Sequence, residues 1–448
     1  MDFIDFLVFF LWVFIFYIFI LLRKKNFKSK ELKFYYSFQF WLRVFSTLAY
    51  CMFILYISPG DTTTLYYPEG INIWNLIFKD FSNIAILFMP SDWFNQSLLT
   101  TFSNWGYFNH ESNFMVTRLV IFFSFFTGGK FMAINLFFSM FAFSGLWRLY
   151  LFFYKQYPKY HKALAIGILF LPSVTFWSSA ILKDSLCIGA LGWLTYSMYM
   201  ALIEKKRILL NIISFLIFSS LLFIVKSYIL LAYIPFFLLF FVLRKLQSLK
   251  SPFFKIAFIL FSITAATVVI ATADKTLNAA MGEVVEQGLA ESIQSLQNTY
   301  ESMANVAESN FSLGVEFDGS VVSFIKMAPA AIAASLFRPF LWESKKISTL
   351  FSSLESLCLI FLTLYVFLKT GPIKFFKIIF TNPIIFYCFG FSILFSLFVG
   401  ATTLNFGSLV RYKIPALPFY ICSLLLIYYF NKDKKQLIPP DSGIGKGF

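Results

Sequence analysis

The sequence has little charge and almost no histidine. Charged residues make up 13% of its 448 positions, and His110 and His161 are the two histidines. A soluble protein needs a wetted surface, so this composition excludes an ordinary soluble domain. Two histidines are too few for a histidine-based metal site. The five cysteines lie inside or at the edges of apolar runs without metal-ligand spacing, and we expect them to be small buried apolar residues.

Apolar residues make up 59% of the chain, and 64 of its residues are phenylalanines. Apolar stretches long enough to cross a bilayer recur from one end to the other. The pattern predicts an all-α polytopic membrane protein with about 11 transmembrane helices. In the first stretch, Phe3 to Leu22, acidic residues precede and basic residues follow. A cleaved signal peptide has the opposite arrangement, so we predict a retained span.

The net charge of +15 does not indicate a nucleic-acid partner, because the lysines are spread over many short connections. Since cytoplasmic loops are enriched in Lys and Arg, these connections orient the chain with its N-terminus outside and its C-terminus inside. The predicted spans cover residues 3–22, 40–58, 131–153, 163–177, 185–203, 208–225, 229–243, 256–272, 349–368, 383–401 and 413–430.

The composition changes once along the chain, after residue 272. Residues 1–272 are predicted to form an N-terminal transmembrane bundle with a first outer loop at 59–113. Residues 273–325 form a polar, amphipathic helical insertion on the outer side, and 326–448 a C-terminal transmembrane part. Helices lying on the membrane surface are expected in the first outer loop, and residues 114–126 are expected to form a juxtamembrane or re-entrant helix.

Five polar clusters stand at the ends of predicted spans, and this topology places all five on the outer face. They are Gly60-Asp61 with Tyr66 and Tyr67; Pro172 to Ser179, including Trp177, with Lys183 and Asp184; Lys226 to Tyr228; Arg338 to Glu343; and Asn405 to Ser408 with Arg411 to Lys413. Cations can hold a phosphate, aromatic rings can stack on a sugar and a carboxylate can accept a proton. The mixture therefore predicts a site for an anionic lipid headgroup joined to a sugar.

Each cluster also has a structural interpretation. Arg and Lys at the ends of spans often anchor a helix by reaching the interface, and Trp and Tyr often form an interfacial belt. Asp61 would start a turn after Pro59-Gly60, and Lys183 and Asp184 would form a local ion pair. The placement of all five clusters on one face favours function.

Three short motifs carry a resemblance to a known family. Gly60-Asp61 followed by Tyr66-Tyr67 opens the first outer loop, Arg411-Tyr412 begins a run that continues through Pro415 and Pro418, and Phe176-Trp177-Ser178-Ser179 precedes Lys183-Asp184. The pattern resembles C-type multi-span glycosyltransferases, which use polyprenyl-phosphate-linked sugars, and the O-antigen or exopolysaccharide polymerases of bacterial envelopes. In those transferases the first loop holds a catalytic acid. Here three threonines separate Asp61 from the tyrosines, and no large soluble C-terminal domain is present.

The resemblance implies an enzyme at the outer face of the cytoplasmic membrane, with a polyprenyl-linked sugar donor and a glycan or lipid acceptor. Asp61 would take the acceptor proton, while Arg338, Arg411, Lys183 and Lys226 would hold the lipid phosphate. Tyr66, Tyr67 and Trp177 would contact sugar, and Asp184 and Glu343 complete the predicted site. The sequence identifies no cofactor with certainty, and it leaves a divalent metal ion as an open alternative. The alternatives are a transporter of lipid-linked glycans and a structural subunit of an envelope machine.

Overall fold

The computed structural model describes residues 2–91, 108, 110–247, 297, 310–315, 317–318, 320–344 and 346–433. All long elements in these ranges are helices, which confirms the all-α prediction. Seven of them are long and apolar enough to cross a membrane, and a further pair of helices bent by 61° passes the same test when taken together. The chain is therefore a helical protein with the composition of a polytopic membrane protein.

The chain divides into two compact units, and the first comprises residues 1–161 and 169–226. Its helices are α1 (Phe3–Lys24), α2 (Lys30–Tyr56), a π-helix (Thr62–Tyr66), α3 (Tyr67–Lys79), a 3-10 helix (Phe81–Leu87), α4 (Glu111–Thr127), α5 (Phe131–Gln156), α7 (Pro172–Trp177), α8 (Lys183–Leu202) and the first part of α9 (Ile208–Gln247). Between α5 and α7 lies α6 (His161–Leu169). The core of this unit is the pair α5 and α8.

Glycines bring α5 and α8 into backbone contact. A Cβ atom at Gly192 would lie 1.9 Å from the Gly145 carbonyl oxygen, and one at Gly145 would lie 2.0 Å from the carbonyl oxygen of Gly189. Small residues are used in this way where apolar helices approach closely, because packing replaces the hydrophobic effect between helices in lipid. The crossing fixes the start of α8, where Lys183 and Asp184 lie.

We expect Gly192→Ala to destabilise the first unit, because the two backbones must separate to admit one methyl group. Overpacking of this kind typically lowers the free energy of unfolding by about 1–3 kcal/mol. Thermal unfolding of the purified protein in detergent measures the effect. Gly60→Ala is the matched control, since its Cβ would meet only the flexible end of Ile54 at 3.3 Å. Equal stability of the two variants would contradict the close crossing.

The second unit comprises residues 162–168 and those after Lys226. Besides the second part of α9, its helices are α10 (Val321–Phe337), α11 (Ile347–Thr370), α12 (Pro372–Thr381), α13 (Pro383–Thr402), α14 (Phe406–Tyr412) and α15 (Leu417–Lys432). Gly400 of α13 permits a second close crossing, because a Cβ there would lie 1.9 Å from the carbonyl oxygen of Ala331 in α10. The Tyr387 hydroxyl donates to the Tyr233 hydroxyl at 2.8 Å inside this unit.

Several predicted elements differ from the structure. Residues 163–177 do not form one span, because the chain breaks after Leu169 and restarts at Pro172, which gives two short helices. The predicted helix at 114–126 is present as α4 and ends at Gly128, whose φ of 61° suits glycine. Residues 208–225 and 229–243 are joined in α9, which leaves helical geometry at Lys226. The predicted span at 256–272 and most of the insertion at 273–325 lie outside the described residues.

Candidate functional site

A buried ion pair joins Asp184 to Lys226 in the first unit. The Lys226 ammonium donates to the Asp184 carboxylate at 2.7 Å, and both side chains are buried. Asp184 is in the first turn of α8, where the helix dipole favours an acid. Lys226 lies at the break of α9, with φ −154° and ψ 80°. Taking two ions out of water is costly, so their close hydrogen-bonded contact is what makes this burial tolerable.

Lys183 lies beside this pair and is only partly buried. Its ammonium donates to the Ser112 hydroxyl at 3.0 Å, and it makes no other hydrogen bond or ion pair with a described residue. The Asp184 and Asp61 carboxylates attract this ammonium, whereas Lys226 repels it. An ammonium has three donors, so two remain for a ligand. Lys183 is therefore the less buried of the two lysines in the cluster and the one with donors left for a ligand.

The turn that carries Asp61 is fixed by its neighbour Thr62. Thr62 is buried and donates to the backbone oxygen of Ile181 at 3.1 Å, so the Tyr50 hydroxyl donates to Thr62 at 3.0 Å. These bonds attach the turn both to α2 and to the segment that leads into Lys183. The Asp61 carboxylate is half-buried and does not cap the π-helix that follows it. Thus the structure brings together Asp61, Lys183, Asp184 and Lys226, four of the predicted site residues.

The three aromatic residues predicted to contact sugar differ in accessibility. Tyr66 is 2% exposed and packs against Phe108, so its ring has no face on which a sugar could stack, and its predicted role is corrected to packing. The Tyr67 hydroxyl donates to the Gly129 carbonyl at 2.9 Å. Trp177 is partly exposed and packs edge-on against Tyr50, which leaves it as the aromatic candidate.

Burial keeps the Tyr67 phenol in its donor form. It raises the pKa of Tyr67 to about 12, and the carboxylates of Asp5 and Asp2 act in the same direction. The phenol therefore stays protonated at neutral pH and continues to donate to the Gly129 carbonyl. This bond ties the start of α3 to the turn between α4 and α5.

Sequence reasoning missed a fully buried arginine in the middle of α2. Arg43 is 0% exposed, and its Nη1 atom donates to the Thr175 and Ser178 carbonyls at 3.2 and 3.1 Å and to the Ser178 hydroxyl at 2.7 Å. Among the described residues, its Nε and Nη2 atoms have no hydrogen-bond partner, and neither does the side-chain amide of Gln39 one turn earlier. The available signal was its position, because an arginine inside an apolar span is a functional candidate by default.

Arg43 holds the chain that leads to Lys183. The carbonyls it binds are those at the C-terminal end of α7, where a cation complements the helix dipole. Farther along, the Asn135 side chain accepts a hydrogen bond from the Ile181 backbone amide at 3.0 Å. A polar layer therefore runs through the interior of the first unit from α2 to the start of α8.

Glu111 organises the residue that contacts Lys183. Glu111 directly precedes Ser112 in the chain. Its carboxylate accepts hydrogen bonds from the Arg118 guanidinium at 2.5 Å and from the Ser91 backbone amide at 2.5 Å. Burial alone would raise the pKa of Glu111, but the hydrogen bonds from Arg118 and Ser91 outweigh it and the pKa is lowered. The carboxylate is therefore ionised at neutral pH.

We expect the start of α4 to loosen at acidic pH. Because the folded pKa of Glu111 is lower than the unfolded one, its stabilising contribution is present above about pH 4.3 and is lost as the pH falls through the folded value. Protection of the amides at residues 110–113 against hydrogen exchange, relative to the intrinsic rate at each pH, should therefore fall below that pH. Glu111→Gln should remove the pH dependence, and an unchanged profile in that variant would contradict the assignment.

The second unit holds a different cluster around Arg338. Its Nε atom donates to Glu343 at 3.0 Å, and its Nη2 atom donates to the same carboxylate. The guanidinium also lies 4.2 Å from the ring centre of Phe311 and 5.2 Å from that of Phe406. Lys413 is buried and donates to the Arg338 carbonyl at 3.1 Å. The charge of Arg338 is thus balanced inside its own unit.

Arg411 lies in the last turn of α14 and is partly exposed. With Arg338 and Glu343 it belongs to the second unit, whereas Asp61 belongs to the first. The convergence of all five clusters into one cleft stays a prediction. Across the described part of the chain, no three His, Cys, Asp or Glu side chains are grouped closely enough to hold a metal ion.

Comparisons with protein-family models, with curated proteins and with solved structures find no match for this chain. The resemblance to polyprenyl-dependent glycosyltransferases therefore depends on the motif residues alone. The placement of Asp61, Lys183 and Asp184 together in the first unit is the observation on which a function can be argued.

Proposed function

We propose that this protein is a membrane glycosyltransferase or polysaccharide polymerase that acts on a polyprenyl-phosphate or polyprenyl-pyrophosphate sugar. We place the reaction at the outer face of the cytoplasmic membrane. The observation that carries the proposal is that the Lys183 ammonium keeps donors for a ligand and lies in the same cluster as the Asp61 carboxylate. A cation for phosphate next to a base for a hydroxyl is what this transfer needs.

In the proposed reaction, the bond between the sugar anomeric carbon and the phosphate oxygen breaks as the acceptor oxygen bonds to that carbon. The phosphate leaves with the electron pair and is stabilised by Lys183. The acceptor hydroxyl gives its proton to Asp61. The Asp184 and Lys226 pair fixes the start of α8, so Lys183 is held in place without its charge being cancelled. Trp177 would contact the sugar ring.

The test is glycosyl transfer by the purified full-length protein with a radiolabelled polyprenyl-linked sugar donor. We expect Lys183→Gln to weaken donor use about 10- to 100-fold, since a hydrogen bond to a charged group contributes about 1.5–3 kcal/mol. Lys155→Gln is the matched control, because Lys155 is a partly buried lysine of the same unit that pairs with Glu204 at 3.7 Å. A Lys183 variant as active as this control would remove the phosphate role.

A transporter of lipid-linked glycans is the second candidate, and the buried Arg43 with Gln39 favours it. Polar side chains inside a span are typical of a substrate path. Reconstitution in vesicles with a fluorescent polyprenyl-linked sugar separates the two functions. Donor movement across the bilayer without glycosidic bond formation would favour transport and would contradict the transferase.

A further inference from the structure

A second charged pocket lies at the opposite end of α2 from Asp61. It has a volume of about 420 Å³ and is lined by residues of α1, α2, α5 and α8, including Arg23, Tyr36, Arg148 and Trp193. Tyr36 is twenty residues before the end of α2, which corresponds to about 30 Å of helix. The pocket is therefore separated from the site around Asp61 by about the thickness of a bilayer core.

Two arginines face this pocket without an acidic partner. Arg23 and Arg148 make no ion pair with a described residue, and their charges repel each other. The nearby Glu204 does not balance them, because it lies 3.7 Å from both Lys155 and Lys206. Two guanidiniums facing one cavity favour an anion between them, and the guanidinium fork matches phosphate geometry.

Aromatic rings hold Arg148 in place. Its guanidinium lies 4.2 Å from the ring centre of Trp193 and 4.9 Å from that of Tyr196. Trp193 is itself fixed, since its indole N–H donates to the Ser144 hydroxyl at 2.8 Å. A preorganised cation loses little conformational entropy on binding a ligand.

The mouth of the pocket is apolar on the side of α1. Phe19 is 63% exposed and Leu22 is 54% exposed, and both line the pocket on a helix apolar enough to cross a membrane. Leu22 also borders a second cavity of about 490 Å³, which is lined by Lys24, Lys25 and Lys33. The end of α1 therefore presents cations next to exposed hydrocarbon, which complements a ligand with a phosphate head and an apolar tail.

We propose that the pocket formed by Arg23, Tyr36, Arg148 and Trp193 binds the phosphate headgroup of an anionic phospholipid. The two arginines bind the phosphate oxygens, and the acyl chains lie along Phe19 and Leu22. This site is independent of the proposed glycosyl transfer, because it lies at the other end of the unit and shares no residue with it. Its occupancy stabilises the packing of α1 against α5.

Binding is measured with the full-length protein in nanodiscs of phosphatidylcholine, titrated with fluorescent phosphatidylglycerol. We expect the doubly substituted protein, Arg23→Gln with Arg148→Gln, to bind phosphatidylglycerol at least tenfold more weakly than the wild type. Lys28→Gln removes one cation from the same connection without touching either cavity and should bind as the wild type does. Arg148→Lys, which keeps the charge but loses the planar fork, should bind more weakly than the wild type and more tightly than the doubly substituted protein.

Three results would overturn the proposal. They are equal binding of phosphatidylcholine, undiminished phosphatidylglycerol binding by the doubly substituted protein, and a loss as large in Lys28→Gln as in that protein. Displacement of the labelled lipid by inorganic phosphate at an equal concentration would identify free phosphate as the ligand and overturn the lipid assignment. None of these results depends on transferase activity, so the two proposals fail separately.

Discussion

Asp184→Ala is expected to destabilise the protein by about 3–5 kcal/mol, because it leaves the Lys226 ammonium buried without its carboxylate. Both side chains of the pair are buried, and they come from α8 and from the break of α9. Loss of one partner removes the attraction but keeps the cost of desolvating the other. Thermal unfolding in detergent and the yield of folded protein measure the effect.

Replacing both partners separates stability from function. Asp184→Leu combined with Lys226→Met should recover most of the stability, since a buried ion pair is often matched by well-packed apolar residues. The same protein should stay poor in glycosyl transfer, because the ion pair that fixes the start of α8, and with it Lys183, is lost. Glu204→Gln serves as the control, as it breaks a partly exposed contact of 3.7 Å with Lys155 and should cost less than about 1 kcal/mol. An Asp184→Ala protein as stable as this control would contradict the argument.

Asp61→Asn is expected to reduce glycosyl transfer by about 10²- to 10⁴-fold, which is the usual contribution of a positioned general base. Asparagine keeps the size of the side chain but cannot accept the acceptor proton. The fold should be preserved, because Thr62 and Tyr50 hold the turn and asparagine keeps the size and polarity of the Asp61 side chain. The measurement is product formation by equal amounts of purified protein from a polyprenyl-linked donor.

The control for Asp61→Asn is Asp80→Asn. Asp80 is an exposed acid of the same unit that caps the 3-10 helix at Phe81–Leu87 through a hydrogen bond from Ser82. Its replacement should leave transfer unchanged. Wild-type product from the Asp61→Asn protein would remove Asp61 from the mechanism and shift the argument to transport. A Thr62→Val variant tests the positioning role of Thr62, since it should slow transfer while Asp61 stays intact.

The site could be predicted only in part. Asp61, Lys183, Asp184 and Lys226 were found because polar residues at the ends of apolar runs stand out from their surroundings. Their mutual contacts could not be predicted, because they depend on the crossing of α5 and α8 and on the break of α9 at Lys226. Tyr66 was misassigned for the same reason, since an aromatic residue beside a span can face either the interface or the protein interior.

Arg43, by contrast, was not predicted as a site residue at all. It lies inside the predicted second span, where hydropathy averaged over many apolar residues conceals one cation. Its role depends on the Thr175 and Ser178 carbonyls, which are more than a hundred positions away in the chain. Neither periodicity nor composition carries information about such a contact.

The sequence by itself determined that the chain is helical and has the composition of a membrane protein, because long apolar runs leave the backbone no other way to satisfy its hydrogen bonds in lipid. It also marked the ends of helices, where glycine, proline and charge interrupt those runs. The tertiary structure alone decided which charges meet. Lys226 and Asp184 are neutralised by each other, Arg338 is balanced by Glu343, and Lys183 keeps donors for a ligand. Pairing of charges depends on distances of a few ångströms between helices, and those distances are set by packing.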